Sequence, residues 1–184
     1  MSDSVGGQAT EPAPQDVYQK RYIDHQHRKA ATLSQIMEER HSERMYLPKP
    51  VEPGTLSELC GIVESVPSSC ARRAVSVRVE SQRDRLALLG GLLVGGVGWI
   101  HRAPAVLLIF ADPIAYKAGD EKNWMPYLDG GVVIEALYLK ATELGLSGCY
   151  VNPNIRPFNR AHFSNVFGDG VFLGAFACGW PRPK

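Results

Sequence analysis

Nine consecutive residues, Ala103 to Ala111, read APAVLLIFA. No polar side chain interrupts them, and β-branched and aromatic members are present. A run of this kind is a strand covered on both faces, which needs partners on both edges and a packed layer on each side. Asp112 and Pro113 end it. Val171 to Trp180, VFLGAFACGW, reads as a second buried strand. In AVSVRVE, from Ala74 to Glu80, Val75, Val77 and Val79 alternate with Ser76, Arg78 and Glu80. That is the pattern of a strand with one buried face. Tyr150 and Val151 begin a further short extended piece.

Helical signals separate these strands. Thr55-Leu56-Ser57-Glu58 has the form of a capping box, and Leu56, Leu59, Ile62, Val63 and Val66 follow at helical spacing until Pro67. Asp129 to Leu144 predicts a core helix, with Asp129 as N-cap, Val133, Leu137, Ala141 and Leu144 on one stripe, and Gly145 as the C′ residue. Asp16 to Glu39 is helix-rich in composition, with Tyr22, Ile36 and Met37 as a candidate buried stripe. Leu86 to Ile100, LALLGGLLVGGVGWI, is too short and too rich in glycine to span a membrane. Few strands set between helices predict an α+β layered domain with a mixed, mostly antiparallel sheet. Residues 16–184 read as one domain, and residues 1–15, MSDSVGGQATEPAPQ, as a disordered arm.

Composition excludes several classes of function. Lys plus Arg number 20 and Asp plus Glu 19 in 184 residues, so the net charge of +1 offers no clustered cation for nucleic acid. The absence of a secretory leader and of a span predicts a cytoplasmic protein with no membrane partner. The four cysteines, at 60, 70, 149 and 178, form no CxxC and no zinc pattern. His25 and His27 stand two apart, which puts them on different helix faces. Neither HExxH nor a Ser–His–Asp arrangement is visible.

Three segments could carry chemistry. Arg40-His41-Ser42-Glu43-Arg44 supplies two guanidiniums and a hydroxyl within five residues, a set able to clasp a phosphate. Pro67-Ser68-Ser69-Cys70 places two hydroxyls in a loop between a helix and a strand. Gly95-Gly96-Val97-Gly98 matches neither a P-loop nor a dinucleotide fingerprint.

Taken in order, RHSER, the capped helix ending in PSS, the apolar strand ending in Ala111-Asp112, YLDGG opening a core helix that ends LGLSGCYVN, and the terminal GWP resemble the flavin-dependent nitroreductase family. The resemblance runs from about Leu33 to Lys184. It implies a nitroreductase-like α/β/α domain of three layers, a homodimer with FMN at the subunit interface, and NADH or NADPH as electron donor. The acceptor it implies is a small molecule such as a nitroaromatic or a quinone. By resemblance Arg40 and Ser42, with His41 between them, match the ligands of the FMN phosphate. Arg44 matches the cation near the N1/O2 edge of the flavin, and Pro67, Ser68 and Ser69 match the loop beside the ring. Asn152 matches the position whose backbone N–H faces N5. Arg182 and Lys184 match the basic pair that closes on the phosphate. The flavin carries the chemistry, so the resemblance implies no catalytic acid–base pair.

Three positions depart from that pattern. The loop that usually reads PSSxNxQP has Ala71 for the Asn and Arg73 for the Gln, and Asn152 is followed by Pro153, which has no N–H. Strand parity puts the two arginines on opposite faces, with Arg73 on the side of Val75, Val77 and Val79 and so facing inward; the alternative is that Arg72 and Arg73 both reach to solvent at the start of the strand. Two alternatives stay open: a flavin- or ligand-binding homodimer of the same fold without reductase turnover, and a flavin-free structural dimer.

Overall fold

The computed structural model describes residues 32–117, 119 and 121–182. The expected arm, most of the segment from Asp16 with Tyr22, His25 and His27, and Lys184 lie outside the described residues. The described residues form five α-helices and four strands. They are α1 Leu33–Glu39, α2 Pro53–Gly61, β1 Val75–Glu80, α3 Arg83–Leu92, β2 Ala105–Ala111, α4 Glu121–Glu143, β3 Ser147–Val151, α5 Arg160–Phe167 and β4 Val171–Gly179.

The strands form one antiparallel sheet in the order β1-β2-β4-β3. All seven residues of β2 are buried, as its apolar run requires. Its side chains alternate between two cores. Leu107 and Ile109 meet Leu56 and Leu59 of α2 and Val133, Leu137 and Ala141 of α4. Val106, Leu108 and Phe110 meet Leu86 and Leu89 of α3 and Phe163 and Phe167 of α5. The result is helix, sheet and helix in three layers. A bulge in β4 lets Gly174, at φ +127°, shift the register between Ile109 and Phe110. No helix among the described residues is long and apolar enough to cross a membrane.

Several local expectations are corrected. Helix α2 begins two residues before Thr55, because Pro53 takes the first helical position behind Glu52. The capping box sits instead at Thr32, whose hydroxyl accepts from the Gln35 N–H while the Gln35 side chain accepts from the Thr32 N–H. Met37 is 54% exposed and Ile36 only partly buried, so α1 buries no stripe in this chain. Val79 is 40% exposed, next to the last residue of the edge strand β1. Asp129 is not an N-cap. Helix α4 starts eight residues earlier, at Glu121, and tolerates Pro126 near its N-terminus, where only one intrahelical bond is lost. Its other end is as expected. Gly145, at φ +75°, donates to Thr142 O at 3.0 Å and Leu146 to Ala141 O at 2.8 Å, a Schellman closure.

Gly148 of β3 lies against the ring of Phe176, and a Cβ there would overlap the ring atoms. Gly148→Ala is expected to destabilise the fold by about 1–3 kcal/mol through overpacking, measured as a lower midpoint in urea unfolding with an unchanged m-value.

Candidate functional site

The RHSER segment leaves the end of α1 and runs along the free edge of β3. Ser42 bridges Gly148 in parallel and Tyr46 bridges Pro181 antiparallel. Glu43 N–H donates to Gly148 O at 2.9 Å, and Leu47 N–H to Trp180 O at 2.8 Å. The Glu43 carboxylate turns back to accept the N–H groups of Arg44 and Met45, each at 2.8 Å. With the backbone fixed in this way, alternate side chains of the segment are free to face a ligand.

Tyr138 of α4 organises this end. Its hydroxyl accepts the Tyr150 N–H at 2.8 Å and lies 3.0 Å from Ser42 Oγ. Arg40 stacks its guanidinium 5.3 Å from the centre of the same ring, whose edge packs on Phe176. Arg44 sits 5.6 Å over Trp99. Trp99 in turn donates its indole N–H to Gly95 O at 2.9 Å. Gly95 packs beside Val151 and Asn152, and Val94 N–H donates to Asn154 O at 3.0 Å. Arg40, Ser42, Arg44 and Asn152 are therefore connected through two aromatic residues and a glycine turn. Among the described residues neither Arg40 nor Arg44 has a carboxylate partner, whereas Arg72, Arg73 and Arg85 are ion-paired. Asn152 is exposed, and its side-chain oxygen accepts the Asn154 N–H at 3.2 Å. His41 is turned to Glu39 O at 3.0 Å and Glu43 at 3.6 Å. Arg182 donates to Tyr46 O at 3.4 Å.

The Pro67–Arg73 loop lies elsewhere. It is tied to Asp129, nine residues before Tyr138 on α4. Nine residues are about two and a half helical turns, so the two side chains leave opposite flanks of the helix. Asp129 Oδ1 accepts the Ser69 N–H at 2.9 Å and its hydroxyl at 2.7 Å, and Oδ2 accepts the Tyr116 hydroxyl at 3.0 Å. Burial first, and then this bond to Asp129, push the Tyr116 phenol well above its ordinary range. Ser68 Oγ accepts the Arg73 N–H at 2.9 Å.

Strand parity fails at the two arginines. Arg73 has φ +50°, which breaks the alternation before β1 begins. Arg72 is the inward one, with its side chain 14% exposed and bonded to Glu121 at 2.6 Å, while the Arg73 side chain is 65% exposed beside Glu64 at 3.4 Å. The pattern of residues alone gave no notice of Asp129, Tyr138 or Trp99 as site residues. The one available signal was an acidic residue standing at the head of the apolar stripe Val133, Leu137 and Ala141.

Comparison with known proteins now bears on this arrangement. Residues 90–180 match the profile described as the nitroreductase family. The chain belongs to the nitroreductase family. Among curated proteins none matches this nitroreductase-family chain. Solved structures do. One is an FMN-dependent nitroreductase of Clostridium difficile R20291, 21% identical, with a TM-score of 0.68 over 81% of this chain and 87% of that one. Another, from Desulfovibrio desulfuricans, is described as a nitroreductase in complex with FMN, at 21% identity and TM-score 0.67 over 82% and 87%. A third, from Clostridium acetobutylicum, is described as an NADH oxidase, at 19% identity and TM-score 0.69 over 81% and 89%. At these identities the likeness establishes the fold.

The cysteines of this nitroreductase-family chain differ in accessibility. Burial raises the thiol of Cys149, against the opposing pull of Arg44, Ser42 and Tyr138, and burial also raises Cys60 and Cys178. Raised thiols remain protonated and unreactive at neutral pH, because the thiolate is the nucleophile. Cys70 is exposed. Iodoacetamide at pH 7.5, read by peptide mass mapping, is expected to label Cys70 first, with labelling at the other three rising only as pH increases.

Proposed function

We propose that this chain is an FMN-dependent oxidoreductase that takes electrons from NADH or NADPH and delivers them to a small acceptor such as a nitroaromatic or a quinone. The observation that carries the reading is the pair of arginines flanking Ser42. Arg40 and Arg44 are held on aromatic rings and lack carboxylate partners among the described residues. Cations kept in place and left unneutralised are suited to an anionic ligand. This donor set fits a flavin phosphate and the electron-rich edge of a reduced ring. The family match and the FMN named with the structural relatives support the same ligand.

In this reading Arg40 and Ser42 hold the phosphate, with Arg182 and Lys184 closing over it and His41 keeping the turn between the ligands. Arg44 sets positive charge near the pyrimidine edge. The Asn152 N–H, which has no partner among the described residues, is available to a ring acceptor. Pro67, Ser68 and Ser69 border the ring, with Arg73 at the rim. The chemistry that FMN supplies when bound is two-electron transfer between a nicotinamide and the acceptor. Four free thiols favour a reducing, cytoplasmic setting, and residues 16–184 are taken as one domain.

The site is read as shared between two copies of the chain. One chain carries the Arg40–Arg44 segment and the Pro67–Arg73 loop on opposite flanks of α4, and a twofold dimer brings one half from each copy together. Trp124, Leu128 and Val132 lie on one stripe of α4 and are 48%, 57% and 41% exposed. Leu33 and Met37 of α1 add a further apolar strip, 62% and 54% exposed. A second reading, flavin held without turnover, draws on Ala71 and Pro153, where ring donors are absent.

The purified protein is expected to be yellow, or to become so with added FMN, and to bleach anaerobically with NADH or NADPH. A protein that takes up no FMN would sink the proposal, and a yellow protein that does not bleach would select the second reading. Arg40→Ala should weaken FMN affinity by about 1.5–3 kcal/mol, the worth of a charge-assisted bond. Arg44→Ala should mainly lower the flavin potential. Light scattering should give the mass of a dimer, with Leu128→Glu shifting it toward the monomer; a monomeric wild type would refute the shared site.

A further inference from the structure

Asp129 is the one acidic side chain that is buried among the described residues, at 5% exposure. It stands at the head of an apolar stripe, and among the described residues no cation is bonded to it. Arg72 is engaged with Glu121 at 2.6 Å and lies 5.8 Å from the centre of the Tyr116 ring. The carboxylate is instead held by neutral donors, two of them from Ser69. Burying a charge is costly unless its bonds are made, and the packing around Val133 and Leu137 does not call for one.

What these bonds secure is an unusual loop. Cys70, Ala71 and Arg73 have φ values of +51°, +54° and +50°, three left-handed non-glycine residues within four positions. Ser69, fixed at both its amide and its hydroxyl, is the point from which this backbone sets out. The amides of Ala71, Arg72 and Arg73 bond back to Ser68 O at 2.9 Å, Ser69 O at 3.1 Å and Ser68 Oγ at 2.9 Å. From Ser69 to Arg73, the Cys70 N–H alone has no partner among the described residues, and Cys70 is exposed.

We propose that Asp129 is a positioning residue. Acting through Ser69, it keeps the loop left-handed so that the Cys70 N–H is presented as a hydrogen-bond donor to a bound flavin ring. The ligand in this proposal rests on the FMN reading given above; the anchoring of the loop does not.

The test compares wild type, Ser69→Ala, Asp129→Asn and the double variant. Affinity for FMN is read by fluorescence titration, the midpoint potential of bound FMN by spectroelectrochemistry, and tryptic cleavage after Arg73 in the FMN-free proteins. Asp129→Asn should weaken FMN at least tenfold, shift the potential, and speed cleavage at least fivefold. Ser69→Ala should weaken FMN at least threefold, and the double variant should be no weaker than Asp129→Asn alone, because both remove the same anchor. Unchanged affinity and potential in Asp129→Asn, or losses that add in the double variant, overturn the proposal while leaving FMN binding intact. If Asp129→Asn fails to fold, Ser69→Ala decides: wild-type affinity and cleavage in that variant overturn the anchor. A wild type that takes up no FMN ends the flavin reading and the role proposed for the Cys70 amide, and the tryptic comparison then decides the anchor by itself.

Discussion

The packing of α4 across the middle of the sheet is the contact on which everything else rests. Val133, Leu137 and Ala141 close one face of β2 and β4, and that stripe leaves the two flanks of the helix with different neighbours. On one flank Tyr138 meets Arg40, Ser42 and the Tyr150 amide. On the other Asp129 meets Ser69 and Tyr116. A helix packed on one side and flanked on both edges positions two groups of side chains from a single rigid element. Rigid elements hold ligand groups more closely than loops do.

Polar atoms near the site are mostly committed to shaping the backbone. The Glu43 carboxylate caps two amides of its own segment, Ser68 closes on Arg73, and the Asn152 side chain closes on Asn154. Among the described residues near this end of the sheet and in the Pro67–Arg73 loop, the guanidiniums of Arg40 and Arg44, held on aromatic rings, and the amides of Cys70 and Asn152 are left without a polar partner. Satisfied polar groups fix a shape, and unsatisfied ones at a surface are what a ligand can use.

The sheet was largely legible in the sequence because β2 and β4 are long apolar runs that admit one explanation. Helix α4 was legible only from Asp129 onward. Pro126 and the pair Gly130-Gly131 are poor helix formers, and tertiary packing overrides that local preference. The same misreading hid Asp129, since an aspartate at an apparent helix start is ordinarily a cap. Arg40, Ser42 and Arg44 were singled out as candidates by residue type, spacing and motif order. Tyr138 and Trp99 were not, because an aromatic residue on an apolar stripe looks like core until its hydroxyl or indole N–H is seen to have a partner. Arg72 and Arg73 exchanged sides because periodicity assumes regular backbone, and three positive φ angles precede β1.

The position of β2 between β1 and β4 also has a bearing on synthesis. Its first edge partner, β1, precedes it in the chain, but its second, β4, begins only at Val171, sixty residues after Ala111. At about 5–20 residues per second, the most apolar strand of the protein stays open on one edge for about 3–12 s while it is being made. An open apolar edge is a template for pairing with other chains. The hairpin-like partnership of β1 with β2, and the early closure of α3 over Val106 and Leu108, are what the nascent chain has for shelter in that interval.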